Sequence, residues 1–146
     1  MGIAPLLFLG ITMLRKCTER PPVVILGART KDELSPLIAD FKELGLSVQS
    51  ATDDGSLGQH GLVTDVLRNI SLSAKCQISV CGPTPMMRAV AALSEKHGIA
   101  SRVSLENRMA CGFGACLGCV VQNRSTGSYQ TVCRQGPVFD PTTISF

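Results

Sequence analysis

Four cysteines near the C-terminus constrain this chain more than anything else in it. Cys111, Cys116, Cys119 and Cys133 are spaced C-x4-C-x2-C-x13-C. The first three lie in a run of small residues, Cys111-Gly112-Phe113-Gly114-Ala115-Cys116-Leu117-Gly118-Cys119. That spacing is the plant-type [2Fe-2S] pattern, with the fourth thiolate one short hairpin further on. Two irons and two sulfides need four thiolates converging on a small rhomb, and three ligands in nine residues need a loop wrapped around it. Gly112, Gly114 and Gly118 permit positive φ and close backbone approach. Backbone N–H groups can then face the sulfurs and help set a reduction potential. Zinc also accepts four cysteines, but its structural sites usually carry two short Cys pairs, and Cys133 stands alone. The spacing points to a one-electron carrier, with a zinc-stabilised binding module as the alternative.

Composition removes other classes. A chain of 146 residues is one domain, or one domain with a small appendage. It has no Trp, one Tyr, a net charge of +3 and no basic run, so nothing favours nucleic-acid binding. Seven cysteines do not spell a disulfide framework. Beyond the four candidate ligands, Cys76 and Cys81 read as buried small hydrophobes, and Cys17 is also left over. Free thiols beside a cluster indicate a reducing cytoplasm. The apolar start, residues 2–14, is too short to span a bilayer and lacks the features of a leader. Pro5 in its first turn and Arg15 and Lys16 at its end suit a core helix.

Further along, apolar runs of strand length alternate with helical patterns. Residues 22–27 read as a buried parallel strand, 32–44 as a helix stopped by Gly45, and 46–50 as a second strand. A polar, Gly-rich loop fills 51–61, and 62–70 reads as a short helix. Residues 77–81 read as a third strand. A helix follows over 86–97, with Thr84 as N-cap and Pro85 in its first position. Residues 101–106 read as a fourth strand, and 120–122 and 129–132 as a hairpin. The fold class is α/β, a doubly wound parallel sheet followed by a small module with short antiparallel strands. Ligands of such sheets bind beyond the carboxyl ends of the strands. Here those ends carry Gly27-Ala28-Arg29, Asp53-Asp54-Gly55 and Cys81-Gly82-Pro83. The residues alone leave a nucleotide cleft and ordinary glycine-bearing turns equally open. His60 and His97 read as structural, Met86 and Met87 as core, and Asp65, Glu95 and Lys96 as solvated helix faces.

Taken together, several segments resemble the electron-transfer subunit of bacterial NAD-dependent dihydroorotate dehydrogenase. They are Gly2-Ile3-Ala4-Pro5, Gly27-Ala28-Arg29, Thr52-Asp53-Asp54-Gly55-Ser56, Cys81-Gly82-Pro83-Thr84-Pro85-Met86-Met87 and, most specifically, residues 106–119. The motifs other than the cysteine run are shared across ferredoxin-NADP reductase-like proteins. The resemblance implies a pyridine-nucleotide-binding domain over 1–103 and a [2Fe-2S] module over 104–146. It also implies FAD and NAD as further cofactors. The implied partner is an FMN-containing catalytic subunit, in a heterotetramer that oxidises dihydroorotate to orotate. Electrons would pass from FMN through the cluster to FAD and leave as hydride on NAD+.

On that resemblance, Gly2, Ile3, Ala4 and Pro5 open a helix whose N–H groups face a pyrophosphate. Arg29 reaches the adenosine side, while Asp53 and Asp54 take ribose hydroxyls or cap the turn at Gly55. Cys81, Gly82 and Pro83 lie near the nicotinamide and flavin rings. Arg29 and Lys31 leave NAD against NADP open. A family FAD domain and a first strand would precede Gly2, so the chain is expected to be a truncated form. The further expectations are a gap in its sheet, marginal stability and exposed apolar surface. Another flavin reductase-type electron carrier is the remaining alternative.

Overall fold

The computed structural model describes residues 2–16, 21–73 and 75–146. Cys17 therefore lies outside the described residues. The chain divides into two compact units, Ile3–Leu72 and Ser73–Phe146, the latter also taking Gly2.

The first unit opens with α1 (Ile3–Lys16), followed by β1 (Val23–Ala28), α2 (Lys31–Glu43), β2 (Ser47–Thr52), β3 (Gln59–His60) and α3 (Val63–Asn69). β1 and β2 pair in parallel from Val23↔Ser47 to Ala28↔Thr52, and β3 adds two parallel pairs to the end of β2. The helical period over α2 turns Leu34, Ile38 and Phe41 inward, where they join Leu26 and Leu46 in one core. Ile3, Leu6, Leu7 and Leu14 of α1 pack on that core only partly buried. The expectation of a core helix is corrected here: Gly10 is the one buried residue of α1, and Phe8 is 73% exposed. Gly10 is where the helix comes closest, since a Cβ there would lie 2.9 Å from the Leu46 side chain. β1 is likewise less buried than its run of Val and Ile suggests, with Val23 52% exposed. Among the described residues β1 hydrogen-bonds to β2 alone, so its other edge carries no ladder. The expected loop over 51–61 contains the end of β2 and the short β3.

The second unit contains β4 (Gln77–Cys81), α4 (Thr84–Lys96), β5 (Ala100–Ser104), β6 (Val120–Asn123), β7 (Tyr129–Thr131), α5 (Val132–Gln135), β8 (Val138–Phe139) and β9 (Ile144–Ser145). β4 and β5 run parallel, and β8 joins β5 antiparallel through Val103↔Phe139 and Ser104↔Val138. β6 pairs antiparallel with both β7 and β9. The parallel strands thus fall into two separate sheets, β1-β2-β3 and β4-β5-β8, rather than one continuous sheet. Hydrogen bonding also crosses the 103/104 boundary, because β8 is an edge partner of β5. α4 begins a residue or two earlier than its sequence suggests. Pro83 is its N-cap and Thr84 its first residue, so Pro85 sits second and no side-chain cap forms. Cys76 is exposed rather than buried, because it lies in the connection just before β4. Met87 is buried on α4, whereas Met86 is only partly so.

Candidate functional site

The cysteine loop is built almost without regular structure. Residues 105–119 hold no helix or strand, and the chain is shaped by local turns. Gly112 and Gly114 take positive φ, at 74° and 91°. At Gly114 a Cβ would press on the Arg134 side chain at 3.3 Å. Gly118 departs from expectation, since Leu117 takes the left-handed conformation instead, with φ 56°. Leu117 is 62% exposed, so its side chain is carried outward on that turn.

The backbone points donors at the thiols. The N–H of Cys116 donates to Cys111 Sγ at 3.5 Å, that of Gly118 to Cys116 Sγ at 3.4 Å, and that of Cys133 to Cys119 Sγ at 3.4 Å. Such donors stabilise a thiolate over a thiol. The N–H groups of Cys116 and Phe113, followed by the Cys116 thiol, lower Cys111 to about 6. Cys119 is lowered chiefly by the Cys133 N–H. Cys133 is raised, because its thiol shares a proton with Cys119 and faces the charge of Cys119 and Cys111. Cys119 is buried, Cys111 and Cys133 are half-buried, and Cys116 is exposed. Cys133 reaches the loop because it sits on α5, directly after β7, where Val132 N–H bonds to Cys119 O at 3.0 Å.

The chemistry of this donor set fits an iron–sulfur cluster: soft thiolates, each of three approached by a backbone N–H, on glycine-bearing backbone. Among the described residues no three His, Cys, Asp or Glu side chains converge tightly enough to hold a single ion. A two-iron rhomb makes a different demand, since its four thiolates divide between two metals. Met109, Phe113 and Leu117, in the same loop as the first three cysteines, carry exposed apolar side chains.

A second cluster of candidate residues lies at the carboxyl edge of β1 and β2, in the first unit. Asp53 N–H donates to Ala28 O and Asp54 N–H to Arg29 O, so Gly27, Arg29, Asp53, Asp54 and Gly55 come together. Gly27 has a packing reason of its own, because a Cβ there would lie 2.4 Å from Val63 Cγ1 of α3. Asp54 acts as a turn former: its Oδ1 accepts from Ser56 N–H and Ser56 Oγ, contacts that lower its pKa. Asp53 has an exposed side chain. Thr52 organises the loop, its buried hydroxyl donating to Leu57 O and accepting from Leu57 N–H at 3.0 Å each. The sequence offered no signal for that role.

Arg29 is paired with Glu33 at 2.7 Å, which raises the arginine and lowers the carboxylate. The Thr30-Lys31-Asp32-Glu33 spelling could have flagged Glu33. Asp65 is not a free surface acid, since it accepts from Leu62 N–H at the start of α3 and pairs with Arg68.

In the second unit, Gly2 is buried against the backbone of Cys81, and a Cβ on it would lie 2.3 Å from Cys81 O. Gly82 follows with φ 151°, its Cα face covered by the Met86 methyl. Gly2, Cys81 and Gly82 therefore share one place, with Pro83 exposed beside them. Burial raises the Cys81 thiol, against the opposing bond to Ser104 on β5. Ile3, Ala4 and Pro5 form the first turn of α1, Ala4 and Pro5 exposed. His60 and His97 are both exposed.

The profile of the iron–sulfur cluster binding domain of dihydroorotate dehydrogenase B matches residues 106–145. The chain is 39% identical over 141 residues to the dihydroorotate dehydrogenase B (NAD(+)) electron transfer subunit of Caldanaerobacter subterraneus subsp. tengcongensis, covering 95% of this chain and 53% of that one. The subunit of the same name from Shouchella clausii is 40% identical over 143 residues, covering 95% and 52%. The chain belongs to this family. It spans about half the length of the curated relatives it matches. Among solved structures, a chain of an NADH-dependent reduced ferredoxin-NADP oxidoreductase, studied for flavin-based electron bifurcation, matches with a TM-score of 0.71 and 30% identity. That match covers 93% of this chain and 50% of the other. The ferredoxin-NADP reductase-type fold of the family accounts for the parallel strands of both units and for the antiparallel strands around the cysteine loop.

Proposed function

We propose that this chain is an electron carrier for a dihydroorotate dehydrogenase. It passes electrons from the FMN of a catalytic subunit, through a [2Fe-2S] cluster and FAD, to NAD+ in pyrimidine biosynthesis. The carrying observation is the set of backbone N–H groups aimed at cysteine sulfurs inside the segment that matches the iron–sulfur domain. A [2Fe-2S] cluster supplies one-electron transfer, and a flavin exchanges single electrons for hydride.

The residues of this chain bind and orient those groups. Cys111, Cys116, Cys119 and Cys133 hold the cluster, and the N–H groups of Cys116, Gly118 and Cys133 offset its negative charge. Residues 1–103 serve the nucleotide and 104–146 the cluster. Arg29, Asp53, Asp54, Gly27 and Gly55 form the adenosine edge. Gly2, Cys81 and Gly82, with exposed Pro83 beside them, form a close-packed backbone turn near which a ring can lie. In the first turn of α1, Ile3 and Ala4 offer free N–H groups to a pyrophosphate, Pro5 having none to offer. The apolar side chains of Met109, Phe113 and Leu117 suit contact with the FMN-bearing subunit, in a heterotetramer. No described helix is long and apolar enough to cross a membrane, and we place the assembly in the cytoplasm.

Anaerobic purification followed by iron, sulfide and zinc analysis and EPR after dithionite tests the reading. About two irons and two sulfides per chain with a rhombic reduced signal is the expected result. One zinc and no EPR signal would overturn it. The likeness to the ferredoxin-NADP oxidoreductase chain favours a second reading, a carrier for a different flavin reductase. Electron transfer with a dihydroorotate dehydrogenase catalytic subunit separates the two.

A further inference from the structure

Thr30-Lys31-Asp32-Glu33 has the spelling of a capping box, in which the fourth residue returns to the backbone N–H of the first. Half of it forms, since Thr30 Oγ1 accepts from Glu33 N–H at 3.5 Å. Glu33 does not return to Thr30. Its Oε2 accepts from the N–H of Arg29 at 3.2 Å, and its Oε1 holds the Arg29 guanidinium at 2.7 Å. The two side chains are 79% and 44% exposed, so this is no answer to burial and contributes little to folding. It does fix where Arg29 points and what charge it presents.

The position of Arg29 gives that a meaning. In doubly wound sheets the strand after the first crossover helix ends beside the adenosine ribose. An acid there takes the 2′-hydroxyl of NAD, and an arginine nearby takes the 2′-phosphate of NADP. β1 follows α1 in the chain, and on the family resemblance, which puts a first strand before Gly2, α1 corresponds to that helix and β1 to that strand. A lone arginine at the end of β1 would suit NADP. The arginine is not alone: Glu33 occupies its fork, Asp53 also acts on its charge, and Asp54 stands within electrostatic reach of Glu33. Exposed Asp32 adds to the acidic side, against Lys31 as the second cation. A dianionic phosphate entering this edge would have to displace a formed ion pair and meet the released carboxylate.

We propose that Glu33 is a specificity-determining residue, which by holding Arg29 selects the free 2′-hydroxyl of NAD against the 2′-phosphate of NADP. The inference rests on the reading of this edge as the adenosine site.

Glu33→Gln tests it cleanly, because the amide oxygen can still accept from Arg29 N–H while the charge is gone. Binding of NAD+ and of NADP+ to the 146-residue chain is measured by calorimetry for the wild type, E33Q and E33Q combined with Arg29→Gln. Thermal melts confirm that each variant folds. The expected wild type prefers NAD+. E33Q shifts the affinity ratio toward NADP+ by about tenfold, the size of one charge-assisted contact. Removing Arg29 as well cancels the shift. An unchanged ratio in E33Q with NAD+ still bound would overturn the inference, as would a gain that survives loss of Arg29. If neither dinucleotide binds the wild type, the adenosine-site reading falls, and the inference with it.

Discussion

The cysteine loop and the β1–β2 edge are held in opposite ways. At the β1–β2 edge, a six-pair parallel ladder carries Arg29 and Asp53 to the same place, and the Thr52 hydroxyl ties off the loop beyond. Every restraint there is a bond between ordinary protein groups, complete in itself. Between its two ends the cysteine loop is restrained by N–H···S contacts, and residues 105–119 have no ladder of their own. A nucleotide would thus meet a surface that is already made. A cluster would supply most of what fixes its own loop, as metal binding does wherever the ligands are little constrained beforehand.

The sharpest way to break this contrast is Cys119→Ser. Cys119 is buried, accepts the Cys133 N–H, and gives its carbonyl to Val132 N–H. Iron should fall from about two per chain toward zero, while the far-ultraviolet circular dichroism of the helices persists. Retention of a full cluster would show that the four thiolates are wrongly assigned.

On the other side, Gly27→Ala attacks a preformed packing contact. Its Cβ would sit 2.4 Å from Val63 Cγ1, and overpacking of this kind costs about 1–3 kcal/mol, read from denaturant melts. Adding Val63→Ala should recover part of the loss. A neutral G27A would mean that β1 and α3 slide freely, and the edge would not be preformed.

Cysteine reactivity sharpens the contrast further. In the cluster-free chain Cys111 titrates near 6, whereas an ordinary thiol titrates near about 8.5. Alkylation of Cys111 at neutral pH should outpace that of an unfolded peptide thiol and fall off only as pH drops through about 6. The sign for stability follows. A depressed pKa favours the folded loop above the ordinary thiol value, and that contribution disappears as pH falls through the folded one. Equal rates across that window, followed by mass spectrometry, would remove the N–H donors from the argument.

The smallest effect belongs to the exposed Arg102–Asp140 pair at 2.8 Å. Arg102→Ala should cost less than about 1 kcal/mol and weaken further in salt.

Much of this was legible in the residues. The apolar runs and their glycine stops placed β1, α2, β2 and β4 within a residue or two, because each is long enough to show its period. β3, β8 and β9 are two residues each and α5 is four, too short to show any. Their positions are set by distant partners. The cysteine spacing located the loop, yet Leu117 rather than Gly118 makes the left-handed turn, a choice no propensity would favour. Cys76 reads as a buried small hydrophobe yet is exposed, because a cysteine's burial depends on where its connection runs. Arg29 was visible, but the partner that decides its charge was not, since a capping spelling predicts a bond to the wrong N–H.

The antiparallel pairing of β8 with β5 has a topological consequence. Leu105 N–H donates to Pro137 O at 2.9 Å, just inside the Val103↔Phe139 and Ser104↔Val138 pairs. All four candidate ligands lie between those two residues. The chain there is a lasso with its knot tied in the sheet. Closing it has already removed much of the freedom that ligands far apart in sequence would otherwise lose on meeting. Loss of the metal should therefore slacken the lasso while the knot holds, a local opening beneath the free energy of global unfolding. A chain stripped of its cluster would keep the thiols tethered near one another, poised to be refilled.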